Sequence, residues 1–170
     1  MRRERRGARS PGAAGAVQLD PEYALAYAGL SYTYCILPDY DNIAPNVAFP
    51  KARENALRAL QIDPTLAQAR VALAQIHRRY DWNWPAAEAE YKLAIQYDPN
   101  DALAHHWYGY DLMNVGRFDE AIKEIRRARD LDPFSLVINR NYGQILVRAK
   151  RYDEARKILN EMLQTAPTFG

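Results

Sequence analysis

Apolar and small residues along the chain keep a fixed distance from a series of prolines. Pro21, Pro64, Pro99, Pro133 and Pro167 follow one another at intervals of 43, 35, 34 and 34 residues, and the first four stand in Asp-Pro pairs. Fifteen places before each of the last four prolines is an aromatic: Phe49, Trp84, Phe118, Tyr152. Twelve places before stand Ala52, Ala87, Ala121 and Ala155; five places before stand Ala59, Ala94, Ala128 and Met162. Another small position is filled by Ser31, Ala74, Gly109 and Gly143, each directly after a larger packing residue, Leu30, Leu73, Tyr108 or Tyr142. A period of 34 with two helical patterns per unit marks a helix–turn–helix solenoid, so the predicted class is all-α. The pattern places helices near 22–37, 50–62, 66–79, 85–97, 101–114, 118–131, 135–148 and 152–165.

These phased residues resemble the tetratricopeptide repeat (TPR), most strongly in WYGYDLMNVGRFDEAIKEIRRARDLDP and NYGQILVRAKRYDEARKILNEMLQTAP. The resemblance implies a right-handed α-solenoid of about four repeats, over 22–64, 65–99, 100–133 and 134–167. Small residues let paired helices approach, and the aromatic fills the wedge between neighbouring repeats. Each Asp-Pro ends one helix, and its Asp is expected to cap the next, with Pro in that helix's first turn. The first repeat carries nine extra residues around CILPDYDNIAPNVAFP, expected as a spacer between its helices, and the second carries one extra in YDWNWP. Residues 17–21 read as the remnant of a preceding repeat, and 1–16 as a disordered Arg-rich tail. At the other end Ile158, Leu159, Met162 and Leu163 are expected to leave an exposed apolar edge, because solenoids normally need polar caps.

A narrower resemblance lies in PEYALAYAGLSYTY, DPTLAQARVALAQI, the DWNW turn, AIQYDPNDALAHHWYGYDLMNVGRFDEAI and LDPFSL. These are similar to TPR arrays at the C-terminal end of bacterial winged-helix transcriptional regulators, adenylate cyclase-like proteins and serine/threonine kinase-like proteins. That similarity implies a signalling or transcription-regulating context in the cytoplasm. No effector domain precedes residue 16, so no activity is expected of the chain itself.

Charge narrows the partner. The sequence has a formal charge of +2, but its first ten residues hold five Arg and one Glu, so the rest is mildly acidic. That argues against nucleic acid, which needs a concentrated basic face. No apolar run is long enough for a membrane span. A single cysteine, Cys35, excludes an internal disulfide.

In the TPR family the concave face, lined by the first helix of each repeat, takes a peptide or protein segment. The matching positions here are Tyr32 and Cys35, then Gln75, Arg78 and Arg79, then Leu103, His106, Tyr110 and Asn114, and last Arg140, Gln144 and Arg148. The Arg forks imply a partner with carboxylates and apolar anchors. On that reading, losing Arg78 and Arg79 weakens an acidic peptide and leaves the melting temperature nearly unchanged. The chaperone-tail clamp of the family is not reproduced, because Ala28 and Tyr32 stand where its Lys and Asn would be.

Other chemistry finds little footing. Adjacent His105 and His106 point about 100° apart on a helix and cannot easily chelate one ion, so neither metal nor cofactor is expected. His77 reads as a core histidine, and Cys35 as an unreactive thiol with no cation nearby. Trp84 reads as core; Trp82, with no place in the repeat, is a candidate partner contact, as are Asp39, Tyr40 and Asp41 in the spacer. No nucleophile–base–orienter set exists, so the chain is expected not to be an enzyme. The leading reading is a noncatalytic interaction scaffold. The alternatives are a self-association module stacking through its uncapped ends and an RNA-binding helical repeat.

Overall fold

The computed structural model describes residues 12–40 and 43–165, with the side chain of residue 165 excepted. Most of the Arg-rich tail, Asp41 and Pro167 lie outside the described residues. Within them the chain is a run of helices: α1 (Ala13–Leu19), α2 (Ala24–Tyr40), α3 (Pro45–Ile62), α4 (Ala67–Arg79), α5 (Trp84–Tyr97), α6 (Ala102–Asn114), α7 (Phe118–Leu131), α8 (Leu136–Arg148) and α9 (Tyr152–Thr165). From α2 onward they pair as antiparallel hairpins, α2 with α3 through α8 with α9. The first helices α2, α4, α6 and α8 form one layer, each touching the next, and the second helices α3, α5 and α7 pack against the first helix of the following hairpin. No helix among the described residues is long and apolar enough to cross a membrane.

The phased small residues do the predicted work. Ala52, Ala87, Ala121 and Ala155 are all buried, as are Ser31, Ala74, Gly109 and Gly143. A Cβ on Gly109 would stand 3.0 Å from both Ala121 O and Ile125 N, so α6 and α7 meet backbone to backbone there. In the first repeat the matching Ser31 fills the same gap and donates its hydroxyl to Ala52 O at 2.7 Å.

Several expectations change. The aromatic series is graded: Phe49 is buried, Trp84 and Phe118 are half-buried, and Tyr152 is exposed. Trp84 is therefore only partly core. The Asp of each Asp-Pro pair does not cap the following helix. Asp63, Asp98 and Asp132 close the helix before, donating their N–H to Ala59, Ala94 and Ala128 O. The side chains of Asp63 and Asp98 reach only as far as the amide two residues on, in the turn. The next helices begin later, capped by Asp101 for α6 and Ser135 for α8.

The extra residues of the first repeat are largely helical rather than a spacer loop. They lengthen α2 and α3 to 17 and 18 residues, against 13 and 14 for α4 and α5. Pro45 supplies a ready helix start at the first turn of α3. Pro38 lies near the end of α2 and Pro50 in the early part of α3. At the N-terminal end helix α1 already covers residues 13–16, which composition had placed in the tail.

Trp82 does have a place in the repeat. It adopts φ 56°, the left-handed geometry that Gly116 (φ 80°) and Lys150 (φ 62°) adopt in the turns after α6 and α8. All three follow a helix C-terminus, where one left-handed residue reverses the chain. At the C-terminal edge Ile158 is buried, Leu159 and Met162 are half-buried, and only Leu163 of the expected four is exposed. Leu159 is held by Gly143, where a Cβ would lie 2.7 Å from Leu159 Cδ2.

Candidate functional site

The layer of first helices carries two polar clusters, at opposite ends of α6. The first is a closed ring of four side chains near the C-terminal end. Gln75 Nε2 donates to Tyr91 OH at 2.6 Å, and Tyr91 OH donates to Asp111 Oδ2 at 3.0 Å. Arg78 Nε pairs with Asp111 Oδ1 at 2.9 Å, and Arg78 Nη2 returns to Gln75 Oε1 at 3.2 Å. Gln75, Tyr91 and Asp111 are buried. Burial pushes the Asp111 carboxyl up to about 6, against the pull of Arg78 and the Tyr91 hydroxyl. Burial, with Asp111 adding to it, also raises the Tyr91 phenol well above its ordinary value.

Arg79 is similarly occupied. Its Nη1 donates to Cys35 O at 2.6 Å and its Nη2 pairs with Asp39 at 2.5 Å. Cys35 thus has cations close by, contrary to expectation, yet burial outweighs Arg79 and Arg78 and pushes the thiol up to about 12. It stays a packed, protonated thiol.

Gln75, Arg78 and Arg79 were expected to face a ligand. Gln75 lies beneath the surface, and both arginines are bound to groups of their own chain. Removing Arg78 would leave Asp111 buried without the cation paired to it, so a fall in melting temperature is expected instead of an unchanged one.

The second cluster lines a cleft of about 550 Å³ at the N-terminal ends of α6 and α8. Its walls include Tyr32 from α2, Gln68 from α4, Leu103, His106 and Trp107 from α6, and Ile138 from α8. Asp98, Asp101 and Asp132 complete it from the turns, and no lysine or arginine lines it among the described residues. Trp107 Nε1 donates to Tyr32 OH at 3.1 Å, joining α2 to α6 across the face. Tyr110 sets its ring edge-on to Trp107, centroids 5.9 Å apart.

Tyr32, Leu103 and His106 are therefore brought together in one cleft, as expected of a shared surface. His106 is almost wholly covered, 2.8 Å from the Asn141 amide nitrogen. Burial, and then Arg140, press its pKa down to about 4, which makes it a neutral acceptor for that amide. His105 turns away to Glu124 and Pro99 O, so the adjacent histidines serve different neighbours. Asn114, Arg140, Gln144 and Arg148 are exposed and do not line the cleft.

His77 is not a core histidine. It sits part-exposed with Nδ1 2.8 Å from Asp81, which also takes Arg53. Trp82 and Tyr40 are exposed.

The residues overlooked in the sequence are Trp107 and the three acids Asp98, Asp101 and Asp132. Two of these acids belong to Asp-Pro pairs, whose regular spacing reads as architecture alone.

The fold has close counterparts among solved structures. A thermophilic TPR protein of Thermus thermophilus superposes with a TM-score of 0.73 at 18% identity, covering 92% of this chain and 81% of that one. Pseudomonas aeruginosa PilF gives 0.71 at 24% identity over 87% and 63%. YrrB, described as a TPR protein with an unusual peptide-binding site, gives 0.61 at 20% identity over 92% and 76%. No match was found among curated proteins. A tetratricopeptide repeat model matches residues 83–135 and 109–168, half of the chain, and with the paired helices described above the chain belongs to the tetratricopeptide repeat family.

Proposed function

We propose that this chain is a noncatalytic interaction module that holds a peptide or protein segment against its layer of first helices. The observation that carries this reading is the cleft itself. It is a large concavity whose walls come from four successive repeats and combine aromatic, apolar and polar groups. Such a mixture suits side-chain recognition, with apolar anchors for affinity and a few polar groups for orientation. YrrB, whose fold is similar, is described by its peptide-binding site, which supports the reading by analogy.

The biological setting we propose is docking within a bacterial cytoplasmic signalling or transcription regulator, on the strength of the PEYALAYAGLSYTY, DWNW and LDPFSL segments. Selection of binders from a random linear-peptide library displayed on phage, followed by amide-shift mapping of one binder by NMR, tests the groove. Shifts along α2, α4, α6 and α8 are expected. Failure to enrich any binder, or shifts confined to α3, α5, α7 and α9, would overturn it.

A second reading, association of copies through the last helix pair, is favoured by exposed Phe134, Tyr152 and Leu163. Sedimentation across a concentration series decides it: a constant monomer mass removes self-association.

A further inference from the structure

Charge in the cleft points the opposite way from the arginines counted along the sequence. The arginines of α4 are tied to Asp111, Asp39 and the Cys35 carbonyl, and the charged residues that line the cleft are Asp98, Asp101 and Asp132, with Arg127 on Asn100 and Arg140 near His106 outside the lining. Asp101 is 7% exposed. Its Oδ1 accepts the Leu103 and Ala104 amides at 2.8 and 3.0 Å, capping α6. Its Oδ2 is buried with no hydrogen-bond donor.

A covered carboxylate oxygen without a donor is an expense that folded proteins seldom carry without use. Burial raises the Asp101 carboxyl against the pull of the Ala104 and Leu103 amides, and the like charge of Asp98 adds to the rise. The repulsion between the two carboxylates favours a cation beside them. The other walls suit the same guest. Trp107 and Tyr32 supply ring surface for a cation or its alkyl stem, and His106, neutral because it is buried, adds no repulsion.

We infer that this cleft is a subsite for a cationic side chain, a lysine or arginine of a bound partner peptide, seated between the Asp98, Asp101 and Asp132 carboxylates and the Tyr32–Trp107 wall. The inference rests on the groove reading above and specifies its ligand. Asp101 Oδ2 is covered in the free chain, so a small turn of that side chain would open it to a charge-assisted bond, and Asp98 and Asp132 would hold the approach negative. The partner is thus basic at the position that enters the cleft, not acidic.

The library selection separates the two readings. Enrichment of peptides with a shared Lys or Arg supports this inference. Enrichment of acidic or uncharged peptides overturns it while leaving the groove reading intact, whereas no enrichment at all ends both. For a selected basic peptide, Asp101→Asn keeps an acceptor for the α6 cap and should weaken binding about tenfold. Asp98→Asn with Asp132→Asn, the first still able to hold its turn, should weaken it severalfold and flatten its salt dependence. Replacing the peptide's Arg by citrulline should abolish the difference between the full chain and Asp101→Asn. Equal binding of the Arg and citrulline peptides, or affinity untouched by all three Asp→Asn changes, would place the cation elsewhere and overturn the assignment.

Discussion

Asp101 and Asp111 stand at the two ends of α6, and both are buried, yet their surroundings treat them differently. Asp111 has Arg78 as an ion pair on one oxygen, close but not aligned as a hydrogen bond, and the Tyr91 hydroxyl on the other, inside a ring that Gln75 closes. Asp101 spends one oxygen on two backbone amides and leaves the second without a donor. One cluster balances its charge within the chain; the other leaves it to be balanced from outside. A face with several arginines can therefore present an acidic site, because only charges without an internal partner are available to a ligand.

The sharpest way to break this contrast is Arg78→Ala. It strands Asp111 in the interior and is expected to lower stability by about 3–5 kcal/mol, read from chemical denaturation. A loss below about 1 kcal/mol would mean that Arg78 is free to serve a ligand after all.

Next in size is the pH dependence of the ring. The Asp111 carboxyl titrates near pH 6 in the folded chain, above the roughly 3.9 of an unfolded aspartate, so the folded state binds the proton more tightly. Stability from this group is full below the unfolded value and is lost as pH rises through about 6. Wild type should therefore gain stability relative to Asp111→Asn as pH is lowered from about 7 to about 4.5. His106, pressed down to about 4, works in the opposite direction over the same range, but it is common to both proteins and cancels in the difference. Parallel stability curves would show that Asp111 is already neutral or well solvated.

The smallest effect is Asp132→Asn in the cleft. Asp132 is exposed, and the change should alter stability by no more than about 0.5 kcal/mol. A larger loss in thermal unfolding would make that acid part of the scaffold and weaken its assignment to the ligand.

The fold was legible because its determinants repeat. Close helix contacts demand small residues, and Ser31, Ala74, Gly109 and Gly143 recur at one phase, each buried. Departures arose where two local solutions compete. Asp63 and Asp98 can cap either the turn or the next helix, and the shorter reach prevails. Trp82 stood out in the sequence as a candidate partner contact, but its turn role did not, because left-handed geometry usually signals itself by glycine, as at Gly116, and tryptophan gives no such sign.

The site was less legible for a different reason. The TPR groove positions include Tyr32, Leu103 and His106, which lie together in the cleft. Repeat phase could not reveal that Arg78 finds Asp111, 33 positions away, or that Trp107 meets Tyr32, since pairings between repeats depend on how the helices stack.

That last contact changes how the array responds to force. In a helical-repeat coil each unit ordinarily touches only its neighbours, so the whole stretches and recoils like a spring. Tyr32 and Trp107 belong to the first and third hairpins, and their hydrogen bond is a rung thrown across the coil. Pulling the first repeat from the third must break that rung before the coil can lengthen. The α8–α9 hairpin lies outside that clasp.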